Sequence, residues 1–169
     1  MSEAVLSIGS NVGDRLAQLR SVVAAAGPRL SDASHVYETA PWGGVEQQPF
    51  LNAVLLVSDP ARDAAGWLRF AQDCEHNAQR TRDVRWGPRT LDVDVIAVYD
   101  DAGQPIRSDD VRLTLPHPRA HERAFVLAPW LEVQPDAHLP HGPVAQLLAA
   151  LQAGADPEQQ ITRTDLELR

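Results

Sequence analysis

The order in which apolar periodicity changes along the first hundred residues constrains this chain more than any other feature. Residues 4–9, AVLSIG, read as a short buried strand. Leu16, Leu19, Val22, Val23 and Ala26 then recur at helical spacing until Gly27-Pro28 stops the run. Residues 34–39, SHVYET, predict a second strand, and 40–49 a loop by glycine and proline content. Residues 50–58, FLNAVLLVS, predict a strong third strand. Asp59-Pro60 breaks it and opens a helix over 61–78, with Ala64, Trp67, Leu68, Ala71, Cys74 and Ala78 on one face. Residues 79–88 lack periodicity and predict a loop, and 90–98, TLDVDVIAV, form the last strand. The order β-α-β-β-α-β is the split βαβ, ferredoxin-like arrangement of the α+β class: an antiparallel sheet with helices on one face. The core is extended by a hairpin near 105–115 and helices near 120–131 and 143–152. Residues 154–169 read as a polar, partly mobile tail. With no repeat and no long linker, residues 1–169 read as one domain.

One strand breaks a rule. Asp92 and Asp94 lie two apart in TLDVDVIAV, so both side chains project from one face while Leu91, Val93 and Val95 take the other. Paired carboxylates repel unless a cation lies between them, and magnesium held by one or two carboxylates plus substrate phosphates is a common solution. A solvated strand face, and the Asp-x-Asp of sugar-nucleotide transferases, fit the same tripeptide. Just upstream, Arg80, Arg82, Arg85 and Arg89 stand against the single acid Asp83, a local charge of +3 in a chain of net charge −8. Arginine is a fixed cation that forks onto phosphate oxygens. A basic loop facing two acids is equipment for a nucleoside triphosphate.

Several classes are disfavoured. The negative balance argues against a general nucleic-acid binder. The chain has no lysine and no Gly-x-x-x-x-Gly-Lys-Ser/Thr stretch, so no P-loop cradles the phosphate. Gly9-Ser10-Asn11-Val12-Gly13 reads as a tight turn beside the site. There is no basic-then-apolar leader and no apolar run near ~20 residues, which predicts neither signal peptide nor membrane span. A single cysteine, Cys74, forms no internal disulfide and fits a cytoplasmic protein. His117 and His121 are four apart, but prolines flank the first and no His-Glu-x-x-His pattern follows, so zinc is not expected.

The block Arg85-Trp86-Gly87-Pro88-Arg89-Thr90-Leu91-Asp92-Val93-Asp94-Val95-Ile96 resembles the signature of the 6-hydroxymethyl-7,8-dihydropterin pyrophosphokinase family of folate biosynthesis. Four blocks support it in order: residues 6–15, 38–43, 50–53 and 113–118. The likeness covers about residues 4 to 130.

The resemblance implies that ATP gives its β,γ-pyrophosphoryl group to the pterin hydroxymethyl oxygen and releases AMP. It assigns Asp92 and Asp94 to two Mg²⁺ ions bridging the triphosphate. Arg80 and Arg89 are similar to the family's catalytic arginines, and Arg82 to a further triphosphate contact. Gln72, Glu75, Arg112, Thr114, His117 and Arg123 resemble nucleotide-side positions, with the Val95 backbone at the adenine edge. Phe50 and Phe125 would wall a flat pterin slot, which needs aromatic faces and an amide edge. Asn52 would read the ring beside Asp92. Thr39, Ala40, Pro41 and Trp42 would form the rim and Trp86 a lid. ATP and the pterin are then the expected partners, with no nucleic acid and no membrane, and the chain a monomer. Four positions depart from the family pattern. Gln79 stands where glycine is common, Asp83 where a basic residue is, Phe50 for a tyrosine and Ala40 for a proline.

Overall fold

The computed structural model describes residues 2–39, 48–80, 91–154 and 156–169, with the backbone alone for Arg80 and Glu158. The chain runs β1 (Ser2–Ser10), α1 (Arg15–Ala26), β2 (Leu30–Ala33), β3 (Tyr37–Thr39), β4 (Phe50–Asp59), α2 (Ala64–Arg80) and β5 (Asp92–Tyr99). A hairpin follows, β6 (Ser108–Asp110) and β7 (Leu113–Leu115), then α3 (Ala124–Val133). The chain ends with a second small hairpin, β8 (His138–Leu139) and β9 (Gly142–Pro143), α4 (Val144–Ala153) and β10 (Ile161–Arg163). The main sheet has the order β10-β3-β4-β1-β5, with β2 also paired to β4, and each pairing is antiparallel. The βαββαβ core is therefore present, its second strand split into β2 and β3. Among the described residues no helix is long and apolar enough to cross a membrane.

Helix limits follow their caps. Asp14 accepts the Ala17 N–H at 3.1 Å and starts α1. Asp63 accepts the Gly66 N–H at 2.8 Å, so α2 begins at Ala64 rather than at residue 61. The helix then continues through Arg80. Gln79 and Arg80 are thus helical, where the sequence predicts a loop; residues 81–88 of that loop lie outside the described residues.

Helices cover both faces of the sheet, not one. Leu6, Ile8, Leu55, Val57, Val93 and Val95 meet Leu19 and Val22 of α1 and Trp67, Ala71 and Cys74 of α2. On the other face Val5, Val54, Ile96 and Ala97 meet Val126, Leu127 and Trp130 of α3 and Val144 and Leu148 of α4. The two central strands are consequently buried or half-buried at every position but Glu3, polar residues such as Ser7 and Asn52 included. The tail is tied down as well. Its Leu168 lies in the first core, β10 extends the sheet, and Val36 donates to the Leu166 carbonyl at 3.1 Å.

A polar knot joins β3 to α3. Glu132 accepts from the His35 N–H at 2.9 Å and from the Tyr37 hydroxyl at 2.8 Å, with the His35 ring Nδ1 also 2.9 Å away. Burial and the bond to Glu132 push the Tyr37 phenol up to about 12. Burial alone would raise the Glu132 carboxyl, but the bonds from His35 and Tyr37 outweigh it and hold the group below its usual range. A depressed carboxyl stabilises the fold above its unfolded pKa, about 4.3, and that contribution fades as pH falls through the folded value. Glu132→Gln turns an amide nitrogen toward these donors. It is expected to cost about 1–3 kcal/mol at pH 7 by denaturant titration, the gap to wild type closing on acidification.

Candidate active site

The site arises from a gradient along the strand faces that look toward α3 and α4. On β1 the positions run Val5, Ser7, Gly9; on β4, Val54, Asn52, Phe50; on β5, Ile96, Asp94, Asp92. The apolar member of each series sits under the helices. Beyond it come Ser7 and Gly9 on β1, Asn52 and Phe50 on β4, and Asp94 and Asp92 on β5. Register aligns them in rows: Asn52 opposite Gly9 opposite Asp92, then Val54 opposite Ser7 opposite Asp94. The result is a polar sheet floor beside the start of α3.

A cavity of about 250 Å³ opens over this floor, lined by Ser7, Ile8, Gly9, Thr39, Phe50, Asn52, Asp92, Asp94, Arg123 and Phe125. It falls just below the roughly 300–1,000 Å³ of drug-sized ligand sites, the scale of one flat bicyclic ring. The buried Asn52 donates from Nδ2 to the Thr39 hydroxyl at 3.2 Å. A Cβ on Gly9 would come within 2.9 Å of Asn52 Oδ1, so only glycine leaves that amide in place. The Arg123 guanidinium carbon lies 5.5 Å from the centre of the Phe125 ring, putting a cation beside an aromatic wall.

Two more groups border the carboxylates. The Val93 N–H, on the outer edge of β5, donates to Glu75 Oε2 at 3.2 Å, so α2 grips the strand between Asp92 and Asp94. A bulge puts Ile96 opposite no residue of β1, since Leu6 pairs with Val95 and Val5 with Ala97. The Ile96 carbonyl accepts the His117 N–H at 2.8 Å. Burial lowers the His117 pKa; the Asp94 charge opposes this, and Arg123 and Arg119 add to it. Nδ1 accepts the Arg119 N–H at 3.2 Å, so the neutral ring carries its proton on Nε2. Asp92 and Asp94 are carboxylates suited to a hard cation. Among the described residues no group of three or more His, Cys, Asp or Glu side chains is arranged to hold a metal.

Seven predicted positions therefore share one cavity: Thr39, Phe50, Asn52, Asp92, Asp94, Arg123 and Phe125. Glu75 and His117 are not in its lining; they bond the β5 backbone beside the acids, at the Val93 N–H and the Ile96 carbonyl. Gln72 is exposed on α2, and the Val95 side chain is in the core. Arg112 is exposed on the β6–β7 hairpin, 3.6 Å from Asp110, and the Thr114 hydroxyl donates to the Asp110 carbonyl at 3.0 Å. Ala40, Pro41, Trp42, Arg82, Trp86 and Arg89 lie outside the described residues, as does the Arg80 side chain. Sequence reasoning missed Ser7 and put Gly9 in a turn. The signal was available: both share the strand period of Val5, opposite Leu6 and Ile8.

A profile of the family described as 7,8-dihydro-6-hydroxymethylpterin-pyrophosphokinase (HPPK) matches residues 5–135. The chain belongs to this family. It is 49% identical over 176 residues to the 2-amino-4-hydroxy-6-hydroxymethyldihydropteridine pyrophosphokinase of Mycobacterium bovis, covering 99% of this chain and 94% of that protein. The protein of the same name from Mycobacterium leprae is 49% identical, covering 100% and 92%. The one from Bacillus subtilis is 37% identical over 134 residues, covering 77% of each. The fold resembles the crystal structure of wild-type Plasmodium falciparum HPPK-DHPS with SDX-DHP, with a TM-score of 0.69 at 12% identity over 96% of this chain. This chain spans 47% of that longer one. HPPK membership makes the protein an enzyme, and the α+β architecture with its antiparallel sheet is that of HPPK domains.

Proposed function

We propose that the cavity over Gly9, Asn52 and Asp92 is the active centre of a pyrophosphokinase of folate biosynthesis. The enzyme transfers pyrophosphate from ATP to the hydroxymethyl group of 6-hydroxymethyl-7,8-dihydropterin. The hydroxymethyl oxygen attacks the β-phosphorus, the bond from that phosphorus to the α-bridging oxygen breaks, and AMP leaves with the bonding pair. The hydroxyl proton is released. The observation that carries this assignment is the meeting of two carboxylates, a buried amide and two phenylalanines in one cavity of ring size.

In this reading Phe50 and Phe125 hold the flat ring, while Asn52, supported by Thr39, reads its edge. Asp92 and Asp94 hold two Mg²⁺ ions. Two carboxylates with no third protein ligand among the described residues suit an ion that shares its shell with phosphate oxygens and water. When bound, such ions neutralise the triphosphate and acidify the attacking hydroxyl. Arg123 and His117 face the nucleotide, Arg123 as a fixed cation and His117 as a neutral Nε2–H donor. Glu75 holds β5 so that both acids keep one orientation. Arg80 and Arg89 are the catalytic arginines, and Arg82, Gln72, Arg112, Thr114 and the Val95 backbone complete the nucleotide side. Ala40, Pro41, Trp42 and Trp86 border the pterin. The enzyme acts as a cytoplasmic monomer with no macromolecular partner.

The test is a product assay with ATP, Mg²⁺ and the hydroxymethyl-dihydropterin. AMP and the pterin diphosphate should form in equal amounts. ADP instead would mean single phosphoryl transfer, and no turnover would leave a binding module.

A further inference from the structure

Arg123 is a single extended residue, φ −121° and ψ 105°, between the 3-10 turn Ala120–Glu122 and α3. As the joint between the two helices, it has its backbone direction set by the bonds made at and beside it. Its N–H donates to the Ala120 carbonyl at 3.2 Å, and its carbonyl accepts from Val126 and Leu127, each at 3.0 Å. The groups on either side of it go to one side chain. Gln159 Oε1 accepts the Ala124 N–H at 2.9 Å, and Gln159 Nε2 donates to the Glu122 carbonyl at 2.9 Å. In an extended chain the carbonyl before a residue and the N–H after it point to the same edge, as in a β-ladder. A glutamine amide presents one acceptor and one donor at the matching spacing. It also satisfies the first orphan N–H of α3, which Arg123 as N-cap leaves without a side-chain partner.

We propose that Gln159 is a positioning residue for Arg123, closing a two-point clamp across residues 122–124 that aims the guanidinium into the cavity. The inference rests on the active-centre assignment above. Gln159 touches no substrate. It sits in the short turn Pro157–Gln159, just before β10, so the polar C-terminal segment completes the site from a distance. Phe125, two residues on, lines the same cavity and gains from the same fixed start of α3.

The experiment is a double-mutant cycle on the full chain, with kcat and KM for ATP measured for Gln159→Ala, Arg123→Ala and the double variant. Gln159→Ala alone should lower kcat/KM for ATP roughly five- to twentyfold, mainly through KM, and Arg123→Ala by roughly a hundredfold. In the double variant the loss should equal that of Arg123→Ala within about twofold, because a clamp with nothing to aim has no further effect. Gln159→Glu keeps the acceptor for Ala124 but turns an oxygen toward the Glu122 carbonyl, so it should behave like Gln159→Ala at nearly the size of the natural side chain. Equal losses from Gln159→Ala in both backgrounds would mark a merely structural role and overturn the inference, as would a Gln159→Glu enzyme with normal KM. If Arg123→Ala leaves ATP kinetics unchanged, the assignment of the cavity itself fails, and the inference with it.

Discussion

Asp94→Asn should lower turnover by at least about 10³-fold, some 4 kcal/mol of transition-state stabilisation, while the melting temperature stays at or above that of the natural enzyme. The change keeps the shape of the side chain and removes its charge. The Ser7–Asp94 strand pairing is carried by the backbone and does not depend on that charge. Two carboxylates on one strand face repel, so neutralising one relieves the resting fold. The nearby imidazole does not confuse the result. Burial already lowers the His117 pKa and the Asp94 charge opposes that, so losing the charge leaves the ring more firmly neutral. The fall should appear in kcat as well as kcat/KM, since the charge matters most while the bond to the leaving AMP breaks. AMP formation under saturating ATP, pterin and Mg²⁺ decides it. A variant within tenfold of wild type would mean that the two acids do not form the metal clamp.

How far the sequence reveals this molecule depends on the range of the forces involved. The βαββαβ order is local information, written in periods of two and 3.6 residues, and it emerges as the sheet order β3-β4-β1-β5. Asp92 and Asp94 are legible for the same reason: strand alternation alone sends both to one face. What alternation does not say is which helices cover which face. Helices α3 and α4 are visible as apolar runs, but their docking opposite α1 and α2 depends on the pairing of Val5, Val54 and Ile96, far apart in the chain. The bulge at Ile96 is equally hidden, because VDVIAV reads as unbroken strand. β2 escapes notice since Leu30 and Ala33 are its only apolar residues. The contacts of the tail are hidden for a related reason. Its anchors are one leucine, a three-residue strand and a glutamine amide, none of which makes a periodic pattern. Long-range hydrogen bonds made by single side chains leave no local trace. The resemblance to a family supplied the roles of individual residues, where periodicity supplied only their faces.

Asn52→Leu should separate the two substrates. The two side chains have similar size, so the β4 backbone and its pairing to Gly9 and Tyr37 can persist. The buried Thr39 hydroxyl loses its amide partner, at a cost of about 1 kcal/mol, which burial of an aliphatic group in an apolar strand offsets. Stability should therefore change little. Recognition should change greatly. A site built to hydrogen-bond a heteroaromatic edge rejects ligands when its polar partner is gone, because the donors and acceptors of the ring are desolvated with nothing to meet them. The expected loss in kcat/KM for the pterin is roughly 10²- to 10⁴-fold, with KM for ATP within about twofold of wild type. The contrast follows from the geometry: Asn52 sits in the row with Gly9 and Asp92 on the sheet floor, whereas Arg123 enters from the start of α3. Steady-state kinetics with each substrate varied at saturating levels of the other reads both quantities. Equal losses toward ATP and pterin would mean that Asn52 only holds the sheet together, and an unchanged pterin KM would place the ring elsewhere in the molecule.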